Sequence, residues 1–165
     1  VGRRIALFGL AVLALSCGSR VAYGPATPRP ADQPLNVQAP FEDTWNAVIQ
    51  TFFDRNIPVR TLEKASGLLE SDELRAEIGR DCDCGTWLGV PIAGYGAYGG
   101  DAYYRFRVLV KSGGDRESSL VLRSSCRAKI DRIEGELVCQ LIPAKEAEIK
   151  SAIADRVAAP ARRTP

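Results

Sequence analysis

The sequence predicts an α+β fold: an antiparallel sheet of about five strands with two helices packed on one face. Three observations predict it. Phe41, Trp45, Val48, Ile49, Phe52 and Phe53 recur at helical spacing and make one wide apolar face. Residues 103–111, 118–128 and 136–142 read as strands separated by polar turns. A second helix opens at Pro143, which suits the first helical position because its missing N–H would be unpaired there in any case. Strands joined by short turns pair antiparallel, and helices kept to the two ends of the domain must cover one face of the sheet.

The first helix carries Glu42 and Asp43 in its first turn, where carboxylates favour the positive end of the dipole, and Arg55 in its last. Pro58 is expected to end it at or just before Ile57. Its large aromatics are expected to dominate the core, with Trp45 at the centre of the buried face. Residues 59–63 and 67–74 then read as two short strands joined by Lys64, Ala65, Ser66 and Gly67, with Ser and Gly supplying the turn chemistry. In residues 103–111 the alternation is clean. Tyr104, Phe106, Val108 and Val110 lie on one face, and Tyr103, Arg105, Arg107 and Leu109 on the other. Ile149, Ala152, Ile153 and Val157 give the second helix a modest apolar stripe, and residues from 159 to 165 read as a disordered tail.

Before the domain, residues 18–40 hold Pro25, Pro28, Pro30, Pro34 and Pro40 among small and polar residues with no apolar period. Such a segment is expected to stay extended, so residues 17–40 read as a tether and 41–158 as one globular domain. Residues 1–16 read as a secretory signal: Arg3 and Arg4, then an apolar run from Ile5 to Leu15, too short to span a bilayer, then Ser16 and Cys17. This run into Cys17 resembles the lipobox of bacterial lipoproteins. The resemblance implies cleavage before Cys17, acylation of its thiol and a protein anchored in the bacterial envelope.

The full chain carries 22 basic and 20 acidic residues, a net charge of +2. Loss of the signal with Arg3 and Arg4 leaves the two signs balanced. Nucleic acid is therefore not an expected partner, since its binders show a basic excess or stripe. There is no histidine, which removes the Ser-His and Cys-His nucleophilic pairs and any imidazole base, and no catalytic residue is assigned. Glu70, Asp72 and Glu73 lie close together on one strand and read as a solvated acidic face. The glycines at 94, 96, 99 and 100 are followed by no helix and no Lys-Ser or Lys-Thr, so they make no phosphate cradle. No cofactor is expected.

Cys82, Cys84, Cys126 and Cys139 are even in number in an exported chain and read as two disulfides. A metal site is disfavoured, because Cys82 and Cys84 lack the two-residue gap of zinc knuckles and no histidine completes a ligand set. Three connectivities remain open at this point.

Residues 41–48 (FEDTWNAV), then 56–59 (NIPV), then 65–71 (ASGLLES) resemble a pattern in outer-membrane lipoproteins like the C subunit of the β-barrel assembly machine, a BamC-like pattern covering residues 41–157. The resemblance implies a helix-grip-like domain, with a long helix held against a curved antiparallel sheet. It also implies an outer-membrane location facing the periplasm. In related envelope lipoproteins a Cys-Gly in the middle and a late cysteine recur, which Cys84-Gly85 and Cys139 match. The resemblance thus points to Cys84–Cys139, which leaves Cys82 for Cys126. Two residues apart on a strand, Cys82 and Cys84 would face one side and reach two neighbouring strands.

Residues 85–102 are long for a loop inside a compact domain and carry Trp87, Tyr95 and Tyr98 among glycines, a composition suited to adaptable contact. Those three aromatics are the candidate partner-binding residues. The expected function is a non-enzymatic, membrane-anchored envelope lipoprotein that binds or scaffolds other envelope proteins. The alternative is a module that holds a small apolar or lipidic ligand between helix and sheet.

Overall fold

A computed structural model describes residues 23–29, 33–92, 100–131 and 133–161. The fold is α+β, with two helices and a mostly antiparallel sheet that has more strands than the five expected. The main sheet has eight strands. Six run in the order β3 (Val59–Glu63), β4 (Leu68–Ser71), β9 (Gly100–Ser112), β10 (Ser118–Ile130), β11 (Glu136–Leu141) and β6 (Cys82–Asp83). Two more attach beside them: β5 (Leu74–Ala76) pairs with β9, and β2 (Leu35–Val37) pairs with β10. A small second sheet joins β1 (Tyr23–Gly24), β7 (Thr86–Trp87) and β8 (Val90–Pro91).

The centre is the β9–β10 ribbon, thirteen residues on each strand, registered from Ser112 opposite Ser118 to Gly100 opposite Ile130. Alternation sorts its side chains. Phe106, Val108, Val110, Leu120, Leu122 and Ile130 are buried on one face, as the pattern of 103–111 predicts. Onto that face pack α1 (Phe41–Asp54) through Trp45, Val48 and Phe52, and α2 (Pro143–Ala161) through Ile149 and Ile153. Phe52 meets Phe106 edge to face at 6.3 Å, and Trp45 stacks on Phe41 at 6.0 Å.

Helix α1 ends at Asp54, earlier than Pro58 suggests. Asn56 takes a left-handed conformation at φ 52°, its N–H donates to the Phe53 carbonyl, and the Ile57 N–H donates to that of Phe52. This is a Schellman closure, and buried Ile57 supplies its apolar contact. Phe53, expected on the buried face, is 80% exposed: one residue on from fully buried Phe52, it lies about 100° further round the helix, at the margin of the stripe.

The strand expected over 67–74 is divided. Ser71 turns its hydroxyl inward to accept the Phe106 N–H at 2.9 Å, and the Asp72 N–H donates to the Pro58 carbonyl, so the chain leaves the ladder between β4 and β5. Gly67 at φ 69° is required: a Cβ there would stand 2.0 Å from the Val110 carbonyl oxygen.

The described parts of the expected tether lie on the domain instead. β1 pairs with β7 and β2 with the start of β10, while Ala26, Val37 and Ala39 are buried. Edge strands of two and three residues bury too few side chains to leave a period in the sequence, which is why proline content dominates the reading of 23–40. The Arg29 guanidinium reaches Glu146 of α2 at 3.4 Å and latches the segment down. At the other end α2 runs to Ala161, so residues 159–161, expected in the tail, are helical.

Candidate functional site

Of the residues marked by the sequence, Cys17, Tyr95 and Tyr98 lie outside the described residues, as do 1–16 and 162–165. The four later cysteines form two disulfides, Cys82–Cys126 and Cys84–Cys139, in the pairing that the resemblance implies. All four are at most 3% exposed, at the end of the sheet where β6 meets β11. Among the described residues no group of three His, Cys, Asp or Glu could hold a metal ion, and no helix is long and apolar enough to cross a membrane.

Trp87 is half-buried. It stands opposite Tyr23 in the β1–β7 pair, and both pack at the edge of the core. The expected long loop is therefore, in its described part, a two-residue hairpin. Leu88 (φ 51°) and Gly89 (φ 79°) both have positive φ, the type I′ geometry that matches the twist of the flanking strands. That turn favours Asn or Gly at its first position, yet Leu occupies it and is 68% exposed. Gly85 lets β1 approach: a Cβ there would stand 2.1 Å from the Gly24 carbonyl oxygen.

The sheet face away from the helices carries the polar half of the alternation. Glu70, of β4, accepts from Arg107 at 2.9 Å. Glu73, at the break between β4 and β5, takes Arg105 at 2.6 Å and Arg127 at 2.7 Å on its two oxygens. Arg127 also donates to Glu136 at 2.6 Å. The hydrogen bonds from Arg127 and then Arg105 hold the Glu73 carboxyl below the usual carboxylate range, against the opposing effect of desolvation. Between them a shallow depression of roughly 360 Å³ is lined by Glu73, Tyr103, Arg105, Ser125 and Arg127. Arg105 and Arg127 share Glu73, Arg127 also pairs with Glu136 and Arg105 lies 3.7 Å from Glu70, so each guanidinium in the depression already has an acid partner.

Arg123 differs. It is exposed, lies directly opposite Arg107 across β9 and β10, and has no ion-pair partner among the described residues. Like charges directly opposed in a ladder oppose folding. The acidic cluster that reads as a solvated face in sequence is thus one half of a charge ladder whose basic half exceeds it. Arg105 and Arg107 are visible on one face in the sequence, but their partners come from a strand some thirty residues earlier, so the ladder itself is not.

The interior offers less. Trp45, Phe52, Phe106, Leu122 and Ile153, each at most 2% exposed, occupy the space between helices and sheet. Asp81, 2% exposed, meets Arg80 and, at 3.2 Å, Lys145. Its carbonyl also accepts the Ile142 N–H, so it ties the β5–β6 turn to the start of α2.

No family model matches the chain, and no curated protein matches it. Among solved structures, norcoclaurine synthase from Thalictrum flavum, in complex with dopamine and hydroxybenzaldehyde, is similar over 99% of each chain at 10% identity with a TM-score of 0.31. A likeness of that degree carries no argument about chemistry.

Proposed function

We propose that this protein is a non-catalytic module of the bacterial envelope, held to the outer membrane through acylated Cys17, that docks an acidic segment of another envelope protein on the helix-free face of its sheet. The observation that carries the reading is Arg123 facing Arg107 across β9 and β10 without an acid of its own among the described residues. A cross-strand like-charge pair is a local conflict with folding, and such conflicts gather where a surface serves a partner. Arginine is also among the residues that dominate binding energy at protein interfaces. The resemblance to outer-membrane lipoproteins supports the same address. Since side chains fill the interior, the reading puts binding on the outside of the sheet, away from a ligand between helix and sheet.

The test is charge reversal with a crosslinker beside it. A photoreactive residue at Val121 or Ser125, which flank Arg123 on the same face, is expected to capture an envelope protein in cells. Arg123→Glu is expected to abolish the adduct while leaving thermal stability unchanged or higher, because it relieves the repulsion from Arg107. Capture that survives both Arg123→Glu and high salt would end the proposal.

A further inference from the structure

We propose that the tip of the β7–β8 hairpin, Leu88, Gly89 and Val90, seats in the headgroup region of the same leaflet that holds Cys17. The inference rests on the acylation reading above and adds a second, non-covalent membrane contact. Its first support is direction. β1 runs antiparallel to β7, with Tyr23 opposite Trp87 and Gly24 opposite Thr86. The N-terminal end of β1, where the chain arrives from Cys17, therefore lies at the turn end of the hairpin. Its second support is reach. Six residue steps separate Cys17 from Tyr23, and a fully extended chain of that length spans at most about 20 Å. The anchor cannot hold the bilayer far from this end of the domain.

Chemistry agrees with position. Leu88 is 68% exposed and Val90 38% exposed. Tyr23 and Trp87, half-buried behind them, are the residue types that gather where a protein crosses from hydrocarbon to headgroups. From Gly85 to Gly100 the sequence has sixteen consecutive residues without a charge. The nearest ionisable side chain before the hairpin is Asp83, whose carboxylate is turned back to accept the Gly85 N–H at 2.8 Å. Leucine at a turn position that favours Asn or Gly makes sense where an apolar apex has somewhere to go. Apolar side chains buried at the interface add to the attachment that acyl chains supply.

The chain has two tryptophans, which makes the test direct. Trp45 is 2% exposed in the core and serves as an internal reference, while Trp87 sits beside the tip. The acylated protein is reconstituted in phosphatidylethanolamine–phosphatidylcholine vesicles with chains brominated near the headgroup. The bound protein is expected to lose about half of its tryptophan emission or more, as an indole at the interface would. Trp87→Phe should remove that quenching. Leu88→Asp places a charge at the apex in a residue the turn accepts, so the fold persists, and quenching should fall to the Trp87→Phe level. Protein that sediments with the vesicles but stays unquenched would overturn the lipid contact while leaving the anchor intact. Equal quenching of wild type and Leu88→Asp would also overturn it. Protein that fails to sediment would overturn the anchoring reading, and this inference with it.

Discussion

Cys126 and Cys139 stand directly opposite each other on β10 and β11, yet each is bonded elsewhere, to Cys82 and to Cys84. The two bonds therefore leave neighbouring strands side by side and converge on one short segment, which places the β7–β8 hairpin at a fixed end of the sheet.

Replacing Cys84 and Cys139 together by Ala is expected to cost about 2–4 kcal/mol, mostly through the freedom returned to the unfolded chain. Denaturant unfolding of the oxidised double variant measures it. A loss under about 1 kcal/mol would mean that the segment carrying the hairpin is held without this bond.

Trp45, 2% exposed, stacks on Phe41 within the core. Trp45→Ala is expected to cost about 3–5 kcal/mol, because so large a void cannot close around the remaining side chains. A midpoint in urea that barely moves would show that the helix tolerates the cavity.

Asp81 sets an acid limit. Burial alone would raise its pKa, but the hydrogen bond from Arg80, the Glu77 N–H and Lys145 outweigh it and lower the value from 3.8 to about 2. A carboxyl depressed in the folded state contributes stability above its unfolded pKa and loses it as pH falls through the folded one. The contribution, about 2 kcal/mol, should be whole at neutral pH and fall away between about pH 4 and pH 1. Asp81→Asn should thus be less stable than wild type at neutral pH, with most of the gap closed at pH 2. A gap undiminished at pH 2 would assign the loss to packing instead.

Arg29 holds the N-terminal strap through Glu146, which is 7% exposed and also accepts from the Ser124 hydroxyl. Arg29→Ala leaves that carboxylate with one partner fewer, and a cost of about 1–2 kcal/mol is expected. Amide exchange at Leu35–Val37 should rise well before that of β9. Unchanged exchange there would mean that the β2–β10 pairing keeps the strap in place unaided.

The main sheet was legible because its evidence is local. In residues 103–111 every second side chain is apolar, and the buried face follows from that alone. Trp45 and Pro143 are legible for the same reason. Phe53 is not legible as a surface residue because helical spacing puts it on the margin of the stripe, and tertiary packing decides which margin is covered. The strap was missed because Tyr23–Gly24 and Leu35–Val37 are strands only by virtue of partners far along the chain. The charge ladder was half read: Arg105 and Arg107 are visibly on one face, but Glu70 and Glu73 become their partners only through the β4–β9 pairing and the chain break beside it. The hairpin at Leu88 was hidden because the sequence places Leu where that turn favours Asn or Gly.

The strap also imposes an order of events. Tyr23–Gly24 has no strand to join until Thr86–Trp87 exists, and Leu35–Val37 waits for Ser118–Leu120. If the chain crosses a membrane N-terminus first, as the proposed anchoring requires, both strands travel without their partners for most of the passage. On the anchoring proposed above, enzymes acting at Cys17 would work while Tyr23–Gly24 and Leu35–Val37 are still unpaired, and the strap would close over the finished sheet as one of the last contacts made.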